Sequence, residues 1–124
     1  MNIALWIVQI LLAIVFLAAG VNKLMQPKEK LETQLGAWVD GVEEGHLKLI
    51  GTLEVLGALG LILPGLLGIM PILTPLAALG LAATMVGALI THGRHQEYPN
   101  MVVNLILMGL ALFVAYGRVV LLPL

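Results

Sequence analysis

Four apolar segments, each long enough to cross a lipid bilayer, occupy most of this chain. A helix needs about 20 mainly apolar residues to span the hydrocarbon core, with a tolerated range of about 17 to 25. The segments lie at about residues 3–21, 47–63, 71–91 and 101–117. Backbone polar groups in lipid must be satisfied within the protein, which favours helices. The pattern therefore predicts an all-α membrane protein, an up-down four-helix transmembrane bundle that forms a single domain over residues 1–124.

The composition supports lipid as the surrounding solvent and excludes several functions. Hydrophobic residues make up 60% of the chain and charged residues 10%, with a mean hydropathy of +1.07. Soluble domains are about half apolar and about a quarter charged. The formal net charge of −1 provides no basic surface, so nucleic acid is not expected as a partner. The sequence has no cysteine, which excludes thiol–disulfide chemistry, thiolate metal sites and iron–sulfur clusters.

The first apolar segment is interpreted as a retained span. It begins at Ile3 with no Lys or Arg before it, and Leu17-Ala18-Ala19 is a poor match to a cleavage site. A cleaved signal peptide is the alternative interpretation.

Basic residues are concentrated on one side of the predicted bundle. The ends of the spans that share this side carry Lys23, Lys28, Lys30, Lys48 and Arg94, while the other side carries the amino terminus and Arg118. Cytoplasmic loops of membrane proteins carry an excess of Lys and Arg. We therefore predict a multi-pass protein of the plasma or inner membrane, with both polar loops in the cytoplasm and both chain ends outside.

A polar segment between the first two spans predicts a short amphipathic interfacial helix. Pro27 is suited to open it, and charged residues alternate there with an apolar face formed by Leu31, Leu35, Trp38, Val39 and Val42. Such a helix lies flat on the membrane with its Trp at the depth of the headgroups. The alternative is an ordinary surface helix packed on the ends of the bundle.

Several polar residues within or beside the spans are expected to meet at one end of the bundle. Glu54 lies roughly 10 Å inside the second span, given a rise of about 1.5 Å per residue. The other polar residues end or begin spans on the same side of an up-down bundle. The sequence therefore predicts a polar cluster or ligand pocket formed by Asn22, Lys23, Glu54, His92 and Asn104.

Glu54 is the most informative member of this cluster. An unpaired acid at the centre of a span costs roughly 2.5–3.5 kcal/mol on insertion scales, so Glu54 must be protonated, paired or exposed to water. One interpretation makes Glu54 a proton acceptor, or a partner for the polar head of a ligand. The other makes a Glu54–Lys23 pair a structural contact that fixes how the helices align. No catalytic residue is predicted.

Two further patterns carry weaker predictions. His92, His95 and Glu97 resemble metal-ligand spacing, but Gly93 and the following loop disrupt helical geometry, so no metal site is predicted. Ala83 and Gly87 form a small-x-x-x-small pair, which is typical of close helix packing inside one bundle and equally of a homo-oligomer interface.

The chain resembles the DoxX-like family of small four-span membrane proteins. The resemblance depends on Phe16-Leu-Ala-Ala-Gly20-Val-Asn-Lys23-Leu, on Glu54-Val-Leu-Gly57-Ala-Leu-Gly60-Leu-Ile-Leu-Pro64-Gly65, and on the segment from Ala77 to His92. It implies a link to membrane oxidoreductase complexes and quinone chemistry, or to the assembly of membrane complexes, and it implies no catalytic role for Lys23, Glu54 or His92.

Two functions follow from the residues and the resemblance together. The first is a non-catalytic accessory or assembly subunit that contacts a partner membrane protein, or a second copy of the chain, through its helices. The alternative is a quinone-linked subunit of a membrane oxidoreductase complex, with a ligand pocket near Glu54. No cofactor is evident from the sequence; the alternative function predicts a bound lipid-soluble ligand, a quinone or a lipid.

Overall fold

The computed structural model describes residues 2–35, 39, 42–94, 96 and 98–121, without the side chain of Leu35. These residues form five α-helices and a final π-helical turn, and no strand occurs among them. The helices are α1 (Asn2–Met25), α2 (Lys28–Leu35), α3 (Glu44–Leu67), α4 (Leu73–Arg94) and α5 (Tyr98–Tyr116), and the π-helical turn is Gly117–Leu121.

The four long helices, α1, α3, α4 and α5, form a closed ring. Each is long and apolar enough to cross a membrane. Helix α1 packs on α3, α3 on α4, α4 on α5, and α5 returns to α1. Only 28% to 33% of each apolar stretch is buried inside the protein, so the rest is a surface of Leu, Ile and Val side chains suited to lipid. The predicted all-α transmembrane bundle is confirmed.

The centre of the bundle is an apolar core with polar groups on either side of it. Leu12, Phe16, Leu61, Leu81 and Val114 are almost completely buried in this core. The inward-facing stripes of the helices carry a few buried polar residues as well, and these lie towards the two ends: Gln9, Lys23, Glu54, Asn104 and Arg118. The position of each polar residue along its span therefore determines at which end of the bundle it lies.

Helix α3 continues through Pro64, although the second span is predicted to end at residue 63. Proline has no N–H to donate to the carbonyl oxygen four residues earlier, which here belongs to Gly60. In the structure the hydroxyl of Thr74, on α4, donates to Gly60 O at 3.1 Å, and Thr74 is completely buried. A neighbouring helix thus supplies the missing donor, and α3 ends at Leu67, where it is capped by Gly68, whose φ of 66° is left-handed.

The short helix between the first two spans is present as α2. Leu31 is buried in a small apolar cluster with Val39 and Leu47, which lies at the start of α3. This side of α2 therefore packs on the end of the bundle, as the alternative interpretation requires. Trp38, which the sequence places at headgroup depth, lies outside the described residues.

Two glycines bring α1 and α3 close together. A Cβ added to Gly20 would lie 2.6 Å from the carbonyl oxygen of Gly51, and a Cβ added to Gly51 would lie 2.8 Å from that of Gly20. No real Cβ contact is that short, so the backbones can approach this closely only because both residues are glycine. The contact holds the two helices at the spacing that the polar residues near it require.

Candidate functional site

A cavity of about 560 Å³ opens into the end of the bundle where the polar residues of the spans meet. Its floor is formed by Phe16, Met85 and Leu107, above the apolar core. The walls come from α1, α3, α4 and α5, and α2 contributes Gln34. Most of the lining is apolar; the polar side chains in it are Lys23, Gln34, Glu54, Thr84, Thr91, His92, Asn100 and Asn104. This mixture is typical of pockets for small molecules, which are mostly apolar with a few placed polar groups.

Lys23 and Glu54 form a buried ion pair in the cavity wall. The Lys23 Nζ lies 2.7 Å from Glu54 Oε1, and the two residues are 9% and 4% exposed. Gly51 lies one turn before Glu54, and a Cβ there would be 3.0 Å from the Cβ of Lys23. The missing side chain at Gly51 therefore leaves room for Lys23 to run along α3 to the carboxylate. Pairing offsets the cost of placing either charge in lipid.

Asn104 brings a hydrogen-bond donor without a protein partner to the same cavity. The residue is 8% exposed, and its Nδ2 forms no hydrogen bond to any part of the chain that the structure describes. A buried donor left unsatisfied costs about 1–3 kcal/mol. Such a group in a cavity wall is therefore suited to a ligand that brings an acceptor.

The structure brings four of the five predicted cluster residues together. Lys23, Glu54, His92 and Asn104 all line the cavity, with His92 half-buried. Asn22 lies outside the cavity lining, because it follows a different face of α1 and donates through Nδ2 to Gln34 Oε1 at 3.1 Å. It therefore reaches the site only through Gln34, a cavity residue that the sequence did not predict.

Three more polar residues of the cavity, Thr84, Thr91 and Asn100, were also missed. Asn100 lies one turn before Asn104 on α5, so the spacing that selected Asn104 was a usable signal for it. Thr84 Oγ1 donates to the carbonyl oxygen of Leu81 within its own helix, at 2.7 Å. Such a threonine looks like an ordinary helix residue in sequence, and only the packing of α4 shows that it borders the cavity.

A second buried polar group lies at the opposite end of the bundle and was not predicted as a unit. Arg118 is 3% exposed; its Nε donates to Gln9 Oε1 at 2.7 Å and its Nη1 to Asn2 Oδ1 at 2.8 Å. Gln9 in turn donates through Nε2 to Leu61 O at 2.6 Å, and the Arg118 guanidinium lies 5.4 Å from the ring centre of Trp6. This group joins α1, α3 and the π-helical turn. Gln9 and Arg118 each lie on the inward stripe of their span, and that was the available signal.

The weak metal candidates cannot be assembled from the described part of the chain. His95 and Glu97 lie outside it, and no three His, Cys, Asp or Glu side chains gather as a metal site among the residues that the structure describes. His92 lines the cavity, and it already interacts with another group of the protein.

The fold and the cavity define a small four-span helical membrane protein with a polar pocket open at one end of its bundle. The sequence matches the DoxX-like family over residues 7–114, which includes the cavity residues on all four spans, and the chain belongs to that family. No curated protein and no solved structure shows significant similarity to it.

Proposed function

We propose that this protein is a non-catalytic membrane subunit that binds a lipid-soluble molecule, either a quinone or a membrane lipid, in the cavity beside Glu54. The observation that carries the proposal is the buried Asn104 amide in the wall of a mostly apolar cavity. Proteins rarely leave a buried donor without an acceptor, because the loss is about 1–3 kcal/mol. A bound molecule with a polar head and an apolar body would satisfy that donor and fill the space above Phe16.

The test is native mass spectrometry of protein purified gently from membranes. We expect a discrete added mass on the natural chain. Ala88 lines the cavity, so Ala88→Phe should fill it and remove the added mass, whereas Ala83→Phe, on the outer surface of the same helix, should keep it. An added mass that persists in Ala88→Phe, or a natural chain without any added mass, would contradict the proposal.

A second candidate function, an accessory subunit that contacts a partner's transmembrane helix, is favoured by the outer face of α4. A Cβ atom added at Gly80 would meet no atom of the described residues within 4 Å, and Gly80 lies outside the cavity lining. Packing inside the bundle therefore does not explain this glycine, whereas a glycine on a lipid-facing surface permits close approach of another helix. Co-purification of a partner chain that is lost in Gly80→Leu would support this function over ligand binding alone.

For the orientation we infer that the loops after α1 and α4 face the cytoplasm. The excess of Lys and Arg at the span ends on that side supports it. The cavity would then open towards the cytoplasmic leaflet.

A further inference from the structure

We propose that the ligand reaches the cavity sideways from the bilayer, through a gap between α1 and α5, and that its head is an uncharged carbonyl group bound by Asn104. This inference rests on the proposed function, since it specifies the route and the chemistry of the molecule that the cavity binds. Three observations support it: the exposure of two wall residues, the position of the contacts between α1 and α5, and the charges within the cavity.

The wall of the cavity is exposed to lipid at two valines. Val15 on α1 and Val103 on α5 both line the cavity, yet they are 43% and 53% exposed. Val15 lies roughly 12 Å from Lys23 along α1, at about 1.5 Å per residue, well inside a hydrocarbon core about 30 Å thick. A wall residue exposed at that depth faces acyl chains. Their exposure places the proposed opening of the cavity between these two side chains.

The described polar contacts between α1 and the last span lie at the opposite end of the bundle. Arg118 binds Gln9 and Asn2 there, and Gly117 lies against Leu5 so closely that an added Cβ would clash with a Leu5 methyl group. These contacts hold the two helices together far from the cavity. The gap beside Val15 and Val103 can widen without breaking them.

The charges in the cavity favour a neutral head. Glu54 and Lys23 neutralise each other at 2.7 Å, so the pair offers no net charge to a carboxylate or an ammonium group. The Asn104 Nδ2 is a neutral donor and is complementary to a carbonyl oxygen. The ligand is thus a molecule with a carbonyl head and an apolar tail, and the tail extends out of the cavity between the two valines. Quinones and lipid esters both have this chemistry.

The experiment measures the binding of two probes to the full-length protein in phosphatidylcholine nanodiscs by native mass spectrometry: decylubiquinone as a quinone, and monoolein as an ester lipid. Asn104→Leu should weaken binding of the preferred probe roughly five- to tenfold, the value of one neutral hydrogen bond. Thr52→Val is the control, because Thr52 is also a polar residue of a span but is exposed and lies outside the cavity lining. It should bind as the natural chain does.

The route is tested by blocking the gap. Val103→Trp should slow uptake of the probe at least tenfold, whereas Val102→Trp should not, because Val102 is 56% exposed but lies outside the cavity lining. Val15→Trp and Ile14→Trp form a second such pair on α1 and replace the first if a variant on α5 does not fold. Whichever of the two probes binds shows whether the carbonyl group belongs to a quinone or to an ester lipid.

The outcomes separate this inference from the proposed function. Equal binding in Asn104→Leu would overturn the carbonyl assignment, and equal uptake in both tryptophan variants of a pair would overturn the lateral route, while either result would leave cavity binding intact. Binding of neither probe to a natural chain that still carries its own added mass would overturn the carbonyl head alone. Probe binding that survives Ala88→Phe would overturn the proposed function itself.

Discussion

Gly20 and Gly51 face each other across α1 and α3 so closely that each backbone carbonyl oxygen lies within 2.8 Å of the position where the other residue would carry a Cβ. Lys23 and Glu54 each lie three residues further along their helices, and they form the ion pair in the cavity wall. The glycine contact therefore sets the helix spacing on which the ion pair depends.

Larger side chains at this contact are expected to separate α1 from α3. Gly51→Leu should destabilise the bundle by about 1–3 kcal/mol or more, the range for overpacking a close contact. Gly80→Leu is the matched control, because a Cβ there meets no described atom within 4 Å. Unfolding with denaturant in mixed micelles measures both. Equal stability of the two variants would show that the helices are not held at glycine spacing.

Removal of one member of the ion pair should cost more than removal of both. Lys23→Met leaves the Glu54 carboxyl buried without its partner, and we expect a loss of roughly 3 kcal/mol. Lys23→Met combined with Glu54→Gln leaves no buried charge and should recover most of that loss. Lys30→Met, on the exposed side of α2, is the control and should be neutral. If the double variant is no more stable than Lys23→Met, the loss does not come from an unpaired buried carboxylate.

The hydroxyl of Thr74 is expected to matter only because α3 contains Pro64. Thr74→Val leaves the Gly60 carbonyl oxygen without its donor and should cost about 1–3 kcal/mol. Pro64→Ala restores a backbone N–H that can donate to that oxygen, so the combined variant should be more stable than Thr74→Val alone. Thr52→Val is the control, because Thr52 is exposed and its hydroxyl donates within its own helix, to Lys48 O at 2.9 Å. Additive effects of the two changes would refute the compensation.

Gln9 should be essential for the polar group at the other end of the bundle. Gln9→Leu removes the acceptor of Arg118 Nε, and hydrogen bonds to charged groups contribute about 1.5–3 kcal/mol. Gln9→Glu keeps an acceptor there and should be less harmful, although it loses the bond to Leu61 O. Thermal unfolding in detergent distinguishes them. A Gln9→Leu variant as stable as Gln9→Glu would contradict this role.

The orientation is open to a direct test because the sequence has no cysteine. Lys30→Cys and Gln96→Cys lie in the two loops, at exposed positions. We expect neither to react with a membrane-impermeant thiol reagent in intact cells, and both to react once the cells are permeabilised. Labelling in intact cells would place the loops outside.

The sequence was sufficient for the bundle and for most of the cavity. Span length determined the helices, and the depth of Glu54, Lys23, His92 and Asn104 along them determined which end they share. Two kinds of contact were not predictable. Asn22 turns to Gln34 because one residue along a helix changes the face by about 100°, and the partner's position depends on how α2 packs. The continuation of α3 past Pro64 depends on Thr74, which belongs to another helix.

The bond between Gln9 and Arg118 joins residues that are 109 positions apart, and it bears on the order in which the protein is assembled. During synthesis α1 enters the membrane long before Arg118 has been made. Gln9 therefore cannot complete its hydrogen bonds until the last helix is present. Closure of the ring is then a late event, because the junction between α1 and α5 cannot form before α5 has been made. The same junction contains, at its far end beside Val15 and Val103, the opening that we propose for the ligand. A contact that is completed late in biogenesis and the proposed ligand entrance of the mature protein therefore lie at opposite ends of the junction between α1 and α5.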